Sequence, residues 1–285
     1  MPGPTQEIHF AAPLGEWRLT RAEPDEDLRG LVVEYWEVEG AIDAFRETLL
    51  PNGCVEVMIN LGPPHRVLSA GGNGLWERAW FSGLHERAIV IESLQGTHLV
   101  SARMHPIGAA ALLGRRVAEA ANSIVDLGAL IGGGAADELR RDAVAATSPA
   151  ERFAVLESFL RERRAGGDPA PPFVARAAER IDAQHGKLRV ATLSDGLGIS
   201  RKHLAVSFDR TVGVSMKAYA MIRRFVWTVA RIQESTTVEW STLAIEAGYS
   251  DQSHLVRDFQ RVGAASPTEY LRRRAPDGSA LLYDA

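Results

Sequence analysis

The spacing of apolar positions changes twice along the chain. In the first hundred residues they fall in short β-branched and aromatic runs at 31–38, 54–60, 88–92 and 97–104, partly alternating with polar positions. Turn formers separate these runs: Pro51-Asn52-Gly53, Gly62-Pro63-Pro64 and Gly71-Gly72-Asn73-Gly74. Short strands with glycine-rich turns predict an antiparallel sandwich or barrel. From about Gly108 the spacing becomes helical, with helices expected over 107–114, 124–130, 136–146 and 149–163. Ser148-Pro149-Ala150-Glu151 has the order of a helix start, with Ser as N-cap, Pro first in the helix and Glu three residues after the cap. Residues 165–172, Ala-Gly-Gly-Asp-Pro-Ala-Pro-Pro, suit neither helix nor sheet and are expected to be a linker.

Beyond that segment the chain repeats itself. Leu193-Ser194-Asp195-Gly196-Leu197-Gly198-Ile199-Ser200 is echoed by Leu243-Ala244-Ile245-Glu246-Ala247-Gly248-Tyr249-Ser250, fifty residues later. His203, Leu204, Phe208 and Tyr219 return as His254, Leu255, Phe259 and Tyr270, fifty-one residues later, so the second copy holds one extra residue between Ser250 and His254. Each copy reads as a helix-turn-helix. A short helix ends at Gly198 or Gly248, and Ile199 or Tyr249 fills the angle. Ser200 or Ser250 is positioned to cap the next helix, on which Leu204 and Phe208, or Leu255 and Phe259, share one face. The other face carries Arg201, Lys202 and Arg210 in the first copy and Gln252, Ser253 and Arg257 in the second, side chains that hydrogen-bond bases and phosphates. Residues 215–234 between the copies read as one helix. Twenty helical residues span about 30 Å, close to the roughly 34–36 Å of one DNA turn, so one chain can offer two recognition helices to successive major grooves.

Composition narrows the class. The chain has 285 residues, 46% apolar and 24% charged, which excludes collagen, extended disorder and a disulfide scaffold. Its one cysteine, Cys54, forms no internal disulfide, and its apolar runs are far shorter than a membrane span. With no signal-peptide pattern at the N-terminus, a cytoplasmic location is expected. The net charge of −4 argues against a nucleic-acid partner until it is divided. Residues 1–170 hold 16 Lys and Arg against 24 Asp and Glu, or −8, residues 171–275 hold 16 against 10, or +6, and residues 276–285 add −2. The repeats thus lie in a basic segment.

Catalytic signatures are absent from the sequence: no Gly-x-Ser-x-Gly elbow, no phosphate-cradling loop with Lys, no His-Glu-x-x-His. No catalytic residue, cofactor or metal is therefore assigned. His85, His98 and His105 with Glu86 or Glu92 match no ligand spacing and are read as ordinary histidines. Cys54 is read as a small buried hydrophobe rather than an oxidant sensor. Tyr35, Trp36, Trp76 and Trp80 are candidates to line a ligand pocket, with core packing as the competing role.

The stretch Ala247-Gly248-Tyr249-Ser250-Asp251-Gln252-Ser253-His254-Leu255-x-Arg257-x-Phe259, followed by Ser266-Pro267-x-x-Tyr270, resembles the signature of the AraC/XylS family of bacterial transcriptional regulators. The first copy is similar through Gly198-Ile199-Ser200-Arg201-Lys202-His203-Leu204 and Gly213-Val214-Ser215-Met216. Met216 departs from the family's Pro, and Gly263-Ala264-Ala265 from its Thr-Gly-Val. Leu50–Val57 in one run and Met104-His105-Pro106-Ile107-Gly108-Ala109 carry a weaker similarity to the sensor region of a subgroup of these proteins. The resemblance implies an α+β chain. A β-rich, cupin-like sensor occupies 1–108, a helical and dimerising region 109–164, the linker 165–172, a tandem helix-turn-helix domain 173–275, and a tail 276–285.

Position by position, the resemblance assigns base reading to Gln252, Ser253 and Arg257, and to Lys202, Ala205 and Val206 in the first copy, where the last two can only touch thymine methyls. Phosphate contacts are expected from Arg201, Arg210, Ser250, Arg223 and Arg224. His203 and His254 are read as structural. The implied partners are double-stranded DNA, a small-molecule effector, RNA polymerase and a second copy of the chain, with no membrane. A metal-dependent cupin-like enzyme and a protein-interaction module are the competing readings.

Overall fold

The computed structural model describes residues 1–12, 15–43, 45–69, 74–165, 169–189, 192–235 and 237–283. The glycine-rich turn at 71–73 and residues 166–168 of the expected linker lie outside the described residues.

Twelve described strands form two antiparallel sheets. The larger takes β1 (Gln6–Ala12), β2 (Gly15–Ala22), β3 (Val32–Ile42), β5 (Val55–Asn60), β8 (Ala79–Ser82), β10 (Thr97–Met104) and β11 (Ile124–Asp126), in the order β1-β2-β3-β10-β5-β8-β11. The smaller takes β4 (Phe45–Leu49), β6 (His65–Val67), β7 (Leu75–Trp76), β9 (Ile89–Ser93) and β12 (Ala280–Tyr283), in the order β12-β4-β9-β6-β7. The four predicted runs become β3, β5, β9 and β10. β1, β2 and β4 went unpredicted because their polar residues, such as those of Gln6-Glu7-Ile8-His9, hide the alternation. The expected helix at 124–130 is half strand: residues 124–126 pair with β8, and only Leu127–Ile131 (α2) is helical. β12 comes from the segment read as a tail and pairs with β4, Leu281 opposite Thr48.

Period-two alternation sorts the larger sheet's side chains into two faces. Tyr35, Val57, Ile59, Phe81, Val100 and Ala102 point to one side and are buried. There they meet α1 (Pro106–Leu113), α3 (Gly133–Ala145) and α4 (Pro149–Ala165), whose Phe153, Leu156 and Leu160 belong to the same core. The other face turns toward the smaller sheet. Where the faces diverge, Glu37 of β3 is buried and takes both the Nε and an Nη of Arg152 on α4, at 2.8 and 2.9 Å, while His98 sits 3.0 Å from the same carboxylate.

The C-terminal helices are α5 (Pro172–Ala183), α6 (Arg201–Val212), α7 (Met216–Glu234), α8 (Trp240–Glu246), α9 (Gln252–Gly263) and α10 (Pro267–Arg273). The apolar core does not break at 165–172. One cluster runs from the sheet through α1 and α4 into α5, α6 and the first half of α7, while Phe225, Leu243, Leu255, Phe259 and Tyr270 belong to a second cluster. Gly213, at φ 86°, shows how tightly the first repeat is joined to the N-terminal half: a Cβ there would lie 2.4 Å from the Ala118 carbonyl oxygen. No described helix is long and apolar enough to cross a membrane.

Candidate nucleic-acid interface and ligand cavity

The two repeats fold alike. In the first, a 3-10 turn at Asp195–Leu197 ends at Gly198, which adopts φ 66°. Ser200 then caps α6, its hydroxyl accepting from the His203 amide at 3.2 Å. In the second, α8 leads to Gly248 at φ 79° and Tyr249 is buried at the corner. The same aromatic pair closes each unit, Phe208 against Tyr219 at 5.7 Å and Phe259 against Tyr270 at 5.8 Å. The sequence repeat is therefore a repeat of packing.

The extra residue of the second copy has a definite place. Asp251, not Ser250, caps α9: its carboxylate accepts from the His254 amide at 2.8 Å, while the Ser250 hydroxyl donates to Asp251 at 2.9 Å. The offset of fifty-one aligns Ser200 with Asp251, so the insertion lies before the cap and leaves the helix register intact. Asp251→Ala is expected to cost about 1 kcal/mol, the usual worth of an N-cap. Ser250→Ala should cost a few tenths at most, so urea unfolding of the two variants distinguishes the caps. The offset also sets Ala264 opposite Gly213. Ala264 takes the left-handed conformation, φ 58°, where the first copy uses glycine.

The outward face of each second helix is exposed. On α9 it shows Gln252, Ser253 and Arg257, whose Nε donates to the Ser253 carbonyl at 3.2 Å. On α6 it shows Arg201, Lys202, Ala205, Val206 and Arg210. Arg223 and Arg224, expected to meet phosphates, are instead held within the chain. Arg223 pairs with Asp182 at 2.8 Å and lies against Gly53, and Arg224 donates to the Gly186 carbonyl at 3.0 Å and lies over the Tyr249 ring. The cause is the position of α7, packed on several sides at once, so that Arg223 and Arg224 turn inward. His203 touches Phe173, and His254 meets the edge of Tyr249 at 5.1 Å.

The inner faces of the two sheets enclose a cavity of about 410 Å³. Its walls carry Trp17, Leu19, Arg21, Trp36, Val38, Glu56, Met58, Leu99 and Arg103 from the larger sheet, and Glu47, Leu49, His65, Ile89, Ile91 and Ser93 from the smaller. Its roof comes from the other half of the chain: Phe225, Val226, Val229, Ala230 and Gln233 of α7, with Asp277, Ser279 and Leu282. Nothing in the sequence signalled this juxtaposition.

The four expected pocket aromatics divide. Trp36 lines the cavity. Tyr35, one residue away, necessarily faces the opposite side and is buried against Phe153 at 6.0 Å. Trp80 shares the inner face with Met58 but lies beside the cavity, its indole N–H donating to the Met58 sulfur at 3.1 Å, and Trp76 packs on Trp80 at 6.1 Å.

The polar wall is mostly self-satisfied. The Glu56 carboxylate accepts from Asn52, Trp36, Ser101 and the Nε of Arg103, and Arg103 also reaches Glu34. These donors and the Arg103 charge hold Glu56 below its ordinary carboxylate range despite burial. Burial pushes His65 and His85 down to about 4, so both imidazoles are neutral, and raises the Cys54 thiol to about 11, far from the thiolate an oxidant sensor needs. Glu37, Glu39 and His98 converge as a metal site's ligands would, yet Arg152 and Arg18 already neutralise the two carboxylates.

Two family models match parts of the chain. Residues 193–273 match the family described as a helix-turn-helix domain, and residues 20–126 match a domain of unknown function, DUF6597. No curated protein matches the chain. Among solved structures it is similar to ToxT from Vibrio cholerae O395, with 10% identity and a TM-score of 0.48 over 84% of this chain and 97% of that one. A Vibrio cholerae ToxT with bound unsaturated fatty acid gives 10% and 0.46 over 80% and 90%. The AraC-like transcriptional activator CuxR gives 15% and 0.32 over 80% and 87%.

Proposed function

We propose that this chain, which carries an AraC-type helix-turn-helix domain over residues 193–273, is a transcription regulator that reads duplex DNA with α6 and α9 and is governed by a small molecule held beneath α7. The observation that carries the reading is the double use of α7. Tyr219 anchors it to α6 through Phe208, Phe225 anchors it to α9 through Phe259, and Val226, Val229 and Ala230 form the cavity roof. A ligand that fits the cavity better in one placement of α7 shifts the population toward that placement. Because α7 joins both recognition helices, the shift changes their relative position and hence DNA affinity, and by reciprocity DNA changes ligand affinity.

In this reading Gln252, Ser253 and Arg257 contact base edges, with glutamine suited to adenine and arginine to guanine. Lys202, Ala205 and Val206 form the lesser reading face on α6. Arg201, Arg210 and Ser250 meet phosphates, while Arg223 and Arg224 hold the fold. RNA polymerase and a second copy of the chain are the expected protein partners, in the cytoplasm.

Fluorescence anisotropy on duplexes from the gene's own upstream region tests the proposal. Binding should weaken steeply with rising salt. Arg257→Ala should cost about 1–3 kcal/mol and relax preference at one base position, whereas Arg210→Ala should weaken all sequences and reduce the salt slope by about one. Absence of binding at low salt would overturn the reading.

A further inference from the structure

The cavity wall contains one carboxyl group with nothing to do. Glu47 lies mid-strand on the inner face of β4, with Ile91 of β9 and Leu282 of β12 as its register partners on either side. It lines the cavity and makes no hydrogen bond or ion pair among the described residues. Glu56 in the same wall has four donors. A carboxyl on an apolar inner sheet face without a partner costs stability, and a sequence with only packing to satisfy would place a hydrophobic residue there.

The charges around the cavity show what is missing. Arg103 is matched by Glu56 and Glu34; Arg21 faces Glu34 at 3.7 Å, and its buried Nε has no hydrogen-bond partner among the described residues. Arg87 stands at the exposed rim. Asp277, in the segment leading into β12, is held by the Ser279 amide and hydroxyl and has no cation among the described residues. Glu47 and Asp277 therefore give the cavity an acidic end where the C-terminal segment meets the smaller sheet. Burial and the nearby Asp277 charge raise Glu47 to about 8.

We propose that the effector is a small, mostly apolar amine whose nitrogen seats on Glu47 while its hydrocarbon body lies against Trp17, Trp36 and Val38. The inference rests on the regulator reading above and adds the ligand's chemical class. A protonated amine supplies the donors and the charge that Glu47 lacks, and it relieves the opposition of Glu47 and Asp277. Seating the amine draws the Asp277 segment toward β4, so ligand binding is sensed at the α7 roof.

The test uses the full chain and a matched pair of probes, 4-phenylbutylamine and 4-phenylbutyrate, followed by intrinsic tryptophan fluorescence and calorimetry. The amine should bind at least tenfold more tightly than the acid. Glu47→Gln should reduce amine affinity at least tenfold and leave the weak acid binding unchanged, with Asp277→Asn giving a smaller loss. Ile91→Trp, which fills the cavity, should abolish binding of both. Equal binding, tighter binding of the acid, or an amine affinity indifferent to Glu47→Gln overturns the amine class and leaves small-molecule control standing. Binding of neither probe, with DNA affinity unchanged by both, overturns the amine proposal and counts against the regulatory cavity as well.

Discussion

Arg152→Ala is expected to destabilise the protein by about 3–5 kcal/mol, the cost of leaving a buried charge without its partner. The Arg152 guanidinium grips both oxygens of Glu37, and a third nitrogen reaches the Ala146 carbonyl at 2.7 Å. Both side chains are nearly inaccessible, 10% and 2% exposed, so solvent cannot replace what is lost. The Glu37 carboxyl is kept below its normal range by His98 and Arg152 against the effect of burial. With Arg152 gone, only His98 remains to oppose desolvation, and the carboxyl should take up a proton. The sign follows. A carboxyl with a depressed folded pKa contributes stability above its unfolded value, lost as pH falls through the folded one. Urea unfolding should therefore show the wild type losing stability as pH falls below the ordinary carboxylate range, and Arg152→Ala should lose most of that dependence. A cost below about 1 kcal/mol would mean the pair contributes no more than a surface bridge. Arg152→Met with Glu37→Leu should recover much of the loss, because an apolar pair of similar volume carries no desolvation penalty.

Phe225→Ala is expected to cost a similar amount, about 3–5 kcal/mol for a large buried aromatic. Its ring centroid lies 4.9 Å from that of Phe259 on α9, and a Cβ added at Gly263 would lie 2.9 Å from the ring. The same side chain contributes to the cavity roof. Truncation should therefore unseat α9 and open the cavity together. Calorimetry would show the lower melting temperature. Anisotropy at a temperature where the variant stays folded would show weakened DNA binding, though no base-contacting side chain has changed. Phe225→Leu, closer in volume, should restore most of both properties. DNA affinity unaffected by Phe225→Ala would separate the roof from the reading unit and weaken the case for control through α7.

Both sites join residues far apart in the chain, which no local pattern announces. The helix-turn-helix units were legible because their information is local. Gly198 and Gly248 close their turns with left-handed backbone, and Leu204 with Phe208, like Leu255 with Phe259, declare a buried face through their spacing. The offset of fifty-one even contained the position of the second cap, although the serine was preferred to the aspartate that takes the role. What pairs across long distances was not legible. Nothing local tells Phe45-Arg46-Glu47-Thr48-Leu49 that β12 will lie beside it. Arg223 and Arg224 have the residue type of phosphate contacts, but the neighbouring surfaces crowd α7 and turn them inward. Tyr35 and Trp36 were grouped by type, and the pleat of one strand separates them.

The pairing of β12 with β4 also bears on how the protein is made. Thr48 emerges from the ribosome about 230 residues before its partner Leu281, and at about 5–20 residues per second that interval lasts at least ten seconds. Through all of it β4 stays an open strand edge beside a half-formed cavity, the kind of edge that recruits other chains. The nascent N-terminal half must therefore wait, shielded or soluble on its own, until the C-terminal half has been synthesised. Fast translation or a chaperone that covers β4 should raise the yield of folded protein.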